Sequence, residues 1–181
     1  MSKETFKPYG NIVEEIRMTK DRSGALIIIE LEHHRIHTWD AYRFWDFREI
    51  PANSSNYIQI KTQEKWIHLI FDALKDEDKT IKVYVIENPT LTDWSVEIPI
   101  WNCNRNSSKE SVIKLYNNPT NISWWDIIDF YFIPADKKEM PWWESINKEW
   151  VLKPETNYII QIENTVNAVS NFLTKAYWYE V

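Results

Sequence analysis

The stretch NYIQIKT, residues 56–62, decides the fold class because its side chains alternate in character. On an extended chain, Ile58 and Ile60 point to one face, whereas Tyr57 and Gln59 point to the other. This period of two is typical of a β-strand that buries one face in a core. The stretch therefore predicts a sheet whose apolar face is covered by a second layer.

Similar short runs recur along the chain, separated by clusters of Asn, Asp, Ser and Pro. They number about eight or nine, which favours an all-β fold. The prediction is an antiparallel β-sandwich or jelly roll. The other runs are GALIIIELEHHRIHTW (24–39), KWIHLIFDAL (65–74), KTIKVYVIE (79–87), SVEIPIW (95–101), SVIKLYN (111–117), NYIIQIEN (157–164) and FLTKAYWYE (172–180).

The domain organisation follows from length and pattern. A chain of 181 residues suits one domain. We expect an N-terminal arm at 1–20 and a single sandwich domain at 21–181, with a Trp-rich insertion at 121–150. An α+β fold is the alternative, because an asparagine could cap a short helix over 12–19 and the mixed spacing of WWDIIDFYF (124–132) also fits a helix.

Composition excludes several classes of protein. The formal net charge of −6 argues against a nucleic-acid partner. Only two glycines are present, and no glycine-rich phosphate loop can be found. The longest apolar run, ALIIIEL, is too short to span a membrane, and the N-terminal residues show no secretory signal, so we expect synthesis in a cytoplasm. Cys103 is the only cysteine, which excludes an intrachain disulfide and a multi-cysteine zinc site.

Candidates for catalysis or metal binding are weak. The histidines of HHRIH (33–37), with Glu32 and His68, could supply metal ligands, but cross-strand polar packing is the preferred interpretation. Asp126 and Asp129 resemble the paired acids of a glycoside hydrolase, which would require a helical segment to bring them onto one face. We predict no catalytic residue, no metal site and no cofactor.

Two motifs are interpreted as scaffold. Strand-like runs end in Asn-Pro-Thr at Asn88-Pro89 and again at Asn118-Pro119, thirty residues later. Because proline lacks a donor and restricts the residue before it, each motif is expected to end a strand and begin a turn. The two copies predict equivalent strand ends within the sandwich.

The stretch WNCNRNSS (101–108) is the second scaffold motif. Asn104 and Asn106, with Ser107 and Ser108, are expected to satisfy backbone groups of a loop. Arg105 presents five donors in a planar fork, which could clamp carbonyls of the loop or, as an interface candidate, a carboxylate of a neighbouring subunit.

Tryptophan is abundant, with eleven copies in the chain. Adjacent tryptophans on an extended segment face opposite ways, so one of each pair is expected to meet another surface. The candidate interface residues in the Trp-rich segment are Trp124, Trp125, Trp142, Trp143 and Trp150.

The order of several motifs resembles a family of tailed-bacteriophage virion proteins. The motifs are VYVIENPT, then WNCNRNSS leading into SVIKLYNNPT, then WVLKPETNYIIQIEN and a terminal AYWYE. The resemblance covers residues 31–181 and is most specific over 84–120. It implies a non-enzymatic, β-rich component of the capsid surface, of the decoration or auxiliary head protein type. The chain departs from the family in its scarcity of glycine, its Trp-rich segment and Cys103.

The resulting hypothesis is an auxiliary capsid protein that stabilises the phage head. The major capsid protein would be its partner, self-association into a homo-oligomer is expected, and neither nucleic acid nor membrane is expected to bind. The alternative is a carbohydrate-binding virion module, such as a head fibre or receptor-binding domain, that holds a glycan through the tryptophan pairs. Glycoside hydrolysis at Asp126 or Asp129 is the weaker third hypothesis.

Overall fold

The computed structural model of the chain describes residues 17–20, 26–29, 40–75, 80–92, 96–123, 126–133 and 148–181. These residues form fourteen β-strands and no helix. The strands are β1 (Arg17–Lys20), β2 (Leu26–Ile29), β3 (Ala41–Ile50), β4 (Ser55–Lys61), β5 (Ile67–Lys75), β6 (Ile81–Glu87), β7 (Thr90–Thr92), β8 (Trp101–Asn102), β9 (Lys114–Asn117), β10 (Thr120–Ser123), β11 (Asp126–Ile133), β12 (Lys148–Leu152), β13 (Asn157–Asn164) and β14 (Ser170–Glu180).

Ten of the strands build two five-stranded antiparallel sheets. Sheet I has the order β11-β6-β13-β4-β9, and sheet II has the order β12-β5-β14-β3-β8. The buried side chains of both sheets form one hydrophobic cluster between them. The predicted β-sandwich is therefore confirmed.

The strand order is that of a jelly roll. Strands β3 and β4, β5 and β6, β11 and β12, and β13 and β14 are successive in the chain and occupy matching positions in opposite sheets. These eight strands give the order of two Greek keys. Strands β8 and β9 are added beside β3 and β4 at one edge of the sandwich.

The core follows the alternation seen in the sequence. In β4, Ile58 and Ile60 are fully buried. Trp178 of β14 lies between the sheets and stacks on Tyr42 of β3 at a ring distance of 6.0 Å. Burying a large apolar side chain of this kind stabilises the fold by about 1.5–3 kcal/mol. Burial alternates strictly along most of β14, which is the central strand of sheet II.

Two expectations about helices are corrected. Residues 17–20 form β1, which pairs with β2 in the register Arg17↔Ile29, so the C-terminal part of the proposed helix at 12–19 is a strand. The isoleucine run of β2 favours this pairing because β-branched side chains suit extended backbone. Strand β11 likewise replaces the alternative helix in WWDIIDFYF; residues 12–16 and Trp124 and Trp125 lie outside the described part of the chain.

The predicted insertion at 121–150 is corrected in part. Strand β11 pairs with β6 from Asp126↔Glu87 to Ile133↔Ile81, and β12 pairs with β5. These portions are edge strands of the two sheets. Strands β11 and β12 complete the eight-stranded order of the jelly roll, so they belong to the domain and not to an insertion. Residues 134–147 lie outside the described part.

The two Asn-Pro-Thr motifs occupy equivalent places in sheet I. The amide of Asn88 donates to the carbonyl of Asn157 at 2.9 Å, and the amide of Asn118 donates to the carbonyl of Tyr57 at 2.8 Å. Both asparagines adopt a left-handed backbone, with φ of 54° and 47°. Each motif ends a strand and starts another, and the two new strands, β7 and β10, pair with each other. Sheet I thus contains a local two-fold repeat around β4 and β13.

Candidate functional site

The loop that follows β8 is held by its own amide and hydroxyl groups. Asn102 Oδ1 accepts a hydrogen bond from the amide of Asn104 at 2.8 Å, and Asn104 Oδ1 accepts one from the amide of Asn106 at 3.1 Å. Ser107 Oγ accepts from the amide of Lys109 at 3.0 Å. These successive bonds satisfy backbone donors within the loop, which is the role that an asparagine-rich turn serves. Ser108 lies exposed on the same loop.

The end of this loop is tied to the buried carboxylate of Glu180. Glu180 Oε1 accepts hydrogen bonds from Ser111 Oγ at 2.6 Å and from the amide of Val112 at 2.9 Å. Lys65 Nζ lies 3.4 Å from Oε2 of the same carboxylate. Because a buried charge is tolerated only with such partners, the penultimate residue of the chain fixes the loop against sheet II.

Arg105 lies at the solvent-exposed tip of the loop. It borders a polar cavity of about 640 Å³, whose floor includes Ile98 and Ile113. Tyr42 lines the same cavity and donates its hydroxyl to the carbonyl of Glu110 at 2.9 Å. The arrangement leaves the guanidinium of Arg105 accessible to a second molecule.

Trp150 is part of the core. It is 8% exposed, stacks on Phe71 at 6.2 Å, and donates its indole N–H to Asp129 Oδ2 at 2.9 Å. This placement corrects the interpretation of Trp150 as an interface residue, because alternation along β12 directs it inward. The interface candidates Trp124, Trp125, Trp142 and Trp143 lie outside the described residues.

The acids proposed for glycoside hydrolysis lie on a strand, so the helical spacing that the hypothesis required is not present. Asp129 Oδ1 accepts the amide of Phe130 at 2.9 Å, and Oδ2 accepts the hydroxyl of Tyr131 at 2.7 Å in addition to Trp150. This carboxylate holds an irregular part of β11 in place. Asp126 is exposed.

His68 belongs to a polar cluster on the outer face of sheet II. Its ring stacks on Tyr179 at 4.6 Å, and its Nδ1 lies 2.5 Å from Glu149 Oε1. The Tyr179 hydroxyl also donates to Glu149 Oε1 at 2.8 Å. Within the described part of the chain, no group of three His, Cys, Asp or Glu side chains is placed to hold a metal ion. The histidines of 33–37 lie outside that part.

An exposed apolar patch lies on β11, at the edge of sheet I. We call it the β11 patch and define it as Ile127, Ile128, Phe130 and Phe132, all of them exposed. The register with β6 shifts between Ile127 and Asp129, so Ile128 is an extra residue. This bulge puts Ile127 on the same outer face as Phe130 and Phe132, which a regular strand would not do.

A second exposed surface lies on the outer face of sheet II. Trp45 of β3 is 57% exposed and stacks on Trp101 of β8, with ring centroids 5.8 Å apart and planes inclined by 11°. In register with Trp45 lies Lys175 of β14, whose Nζ is 3.9 Å from Asp72 Oδ2 of β5. We call Trp45, Lys175 and Asp72 the sheet II row.

Sequence reasoning missed the sheet II row. The signal was present in β3, where Tyr42 and Phe44 alternate with Trp45 and Phe47. Successive side chains of a strand point to opposite faces, and β3 has aromatic residues on both of its faces. Only one face can pack against the core, so the aromatic residues of the other face must point outward.

No protein-family model matches this chain, and no curated protein sequence matches it. None of the described residues forms a helix that is long and apolar enough to cross a membrane.

Proposed function

We propose that this chain is a non-enzymatic auxiliary protein of a tailed-phage capsid, which attaches to the major capsid protein and stabilises the head. The observation that carries the proposal is the β11 patch. Two phenylalanines and two isoleucines are exposed together on one strand, and exposed apolar patches mark sites of protein contact.

The position of the patch supports the same conclusion. It lies in the segment between the two tryptophan pairs of the sequence, Trp124-Trp125 and Trp142-Trp143, for which a contact role is predicted. The ring of Phe130 packs against the ring of Tyr84 on β6, with centroids 5.0 Å apart, so the Phe130 side chain is partly ordered before binding. Preorganised aromatic residues lose less entropy when a partner covers them.

The mechanism that we propose is mechanical. Many copies bind equivalent sites on a symmetric lattice, and each bound copy favours the assembled shell over free subunits by mass action. Self-association between copies would raise the apparent affinity further, because a second contact within one assembly becomes intramolecular. Arg105, exposed beside the loop cavity, is available for a carboxylate of a neighbouring subunit.

The test uses attachment to particles. We expect Phe130→Ser combined with Phe132→Ser to raise the apparent Kd for particles that lack the wild-type protein by about tenfold or more, which corresponds to about 1.4 kcal/mol, and so to lower occupancy at a fixed protein concentration. The control is Phe47→Ser, because Phe47 is 61% exposed but lies on the opposite sheet. Occupancy is read by quantitative mass spectrometry against the major capsid protein.

The same measurement separates the proposal from its rivals. Hundreds of copies per particle support a decoration or cement protein. A handful of copies would favour a tail, collar or fibre component, including the carbohydrate-binding module considered from the sequence. Equal occupancy of the double variant and the Phe47→Ser control would contradict attachment through the β11 patch.

A further inference from the structure

We propose that the outer face of sheet II binds a hexopyranose unit of a neutral saccharide, with Trp45 as the stacking surface and the Asp72–Lys175 pair as the hydrogen-bonding group. This site lies on the opposite side of the sandwich from the β11 patch. It does not depend on attachment to a capsid, so the two proposals can fail independently.

The shape of the face suits one or two sugar rings. Strands β3, β14 and β5 form a shallow depression of about 650 Å³, within the range of small-molecule sites. Its lining includes Ile70, Leu173 and Tyr177 around the sheet II row. The apolar part of this surface can contact the C–H groups of a pyranose ring, and the charged pair can form hydrogen bonds with its hydroxyl groups.

Trp45 is prepared for stacking. The near-parallel contact with Trp101 covers one side of its indole and fixes the ring, while 57% of the residue remains exposed. The negative face of an aromatic ring attracts the slightly positive C–H groups on the apolar face of a pyranose. Because the ring is already ordered, little side-chain entropy is lost when the sugar binds.

The Asp72 carboxylate and the Lys175 ammonium group can each form a hydrogen bond with a ligand. Asp72 Oδ2 and Lys175 Nζ are 3.9 Å apart, which is beyond hydrogen-bond distance, and both side chains retain solvent contact. A sugar hydroxyl can donate to the carboxylate and accept from the ammonium at once, since it carries one donor and two acceptor positions. Such charge-assisted hydrogen bonds are shorter and stronger than neutral ones.

The pairing of charges also selects the class of ligand. A cationic ligand would be repelled by Lys175 and Arg43, whereas a purely apolar ligand would desolvate the charged pair without replacing its hydrogen bonds. A neutral ring rich in hydroxyl groups avoids both penalties. Exposed Arg43 lines the depression and adds a further donor.

The experiment is isothermal titration calorimetry of the full chain with linear oligosaccharides of glucose, galactose and mannose. We expect at least one series to bind, and Trp45→Ala to weaken that binding by about tenfold or more. Phe47→Ala is the matched control, because Phe47 is an exposed aromatic residue on the same strand and face but does not line the depression. Its affinity should stay within about twofold of the wild type.

Three outcomes would overturn the proposal. One is the absence of binding to every series, and another is an equal loss of affinity in both variants. The third is a wild-type dimer that binds no sugar and dissociates on Trp45→Ala, which would make this face a protein interface. Thermal unfolding of both variants checks that the fold is intact, and capsid occupancy of Trp45→Ala should equal that of the wild type.

Discussion

At the scale of a single residue, the partly buried carboxylate of Asp72 is unfavourable for folding but provides a hydrogen-bond acceptor for the proposed saccharide site. Burial raises the pKa of its carboxyl above the usual value, and nearby Lys175 offsets this only in part. The folded state therefore holds the proton more tightly than the unfolded state. Stability from this group is present below the unfolded pKa and is lost as pH rises through the folded pKa, so the charged carboxylate at neutral pH is unfavourable for folding.

We therefore expect Asp72→Asn to stabilise the protein at pH 7 while weakening saccharide binding. The change removes a partly buried charge, so the Tm at pH 7 should rise. At a pH below about 3, where both states of the wild type are protonated, the difference should shrink. Differential scanning calorimetry at the two pH values measures it. A variant that is less stable than wild type at pH 7 would show that the ion pair with Lys175 outweighs burial.

At the scale of the element, the two Asn-Pro-Thr turns share a backbone but differ in one contact. Asn118 Oδ1 accepts a hydrogen bond from the amide of Tyr57 at 3.1 Å. The side chain of Asn88 makes no equivalent bond to another described residue. Both positions have positive φ, where asparagine and glycine are favoured and β-branched residues are strained.

We expect glycine to be tolerated at one turn and not at the other. Asn88→Gly should change the free energy of unfolding by less than about 0.5 kcal/mol, because only backbone conformation is at stake. Asn118→Gly should lower it by about 1 kcal/mol, since a hydrogen bond is also lost. Urea unfolding of the two variants provides the comparison. Equal effects would mean that the Asn118 side chain adds nothing to its turn.

Local sequence patterns predicted where most strands lie and which of their faces is buried. They did not predict which strands pair when the strands are far apart in the sequence. The alternation around Ile58 predicted a buried strand because period and face are properties of the extended chain itself. The pairing of β7 with β10 could not be derived, although the repeated motif hinted at equivalence. Trp150 shows the same limit in part: alternation along β12 turns its ring inward, but the pairing across from Leu69, some eighty residues earlier, which places β12 in sheet II, is not a local pattern.

For the whole molecule, the jelly roll places its two candidate surfaces on opposite sides of one core. The alternating runs of the sequence predicted the class of fold, whereas the contact function expected for the Trp-rich segment stays a prediction. They did not predict the sheet II row, because its three residues come from β3, β5 and β14 and meet only through strand order. A function that needs both surfaces would join a particle on one side to a saccharide on the other.

The stability of this core should depend on pH in the alkaline range. Burial raises the pKa of Tyr158 to about 12, with Glu87 adding to the effect, and burial also raises the pKa values of Tyr42 and Tyr131. Unfolded tyrosine ionises near pH 10. The unfolded state thus loses protons that the folded state retains, so stability is complete below pH 10 and falls as pH rises toward 12.

We expect these three of the nine tyrosines to ionise only as the core opens. Absorbance at 295 nm should therefore rise in two stages, and the second stage should coincide with loss of near-ultraviolet circular dichroism. Tyr158→Phe removes one of the delayed phenols and should shift the second stage to higher pH, although it also removes the hydrogen bond that the hydroxyl accepts from the amide of Lys153 at 3.0 Å. Ionisation of all nine near pH 10 with the circular dichroism unchanged would mean that the core admits hydroxide without unfolding, which its close packing opposes.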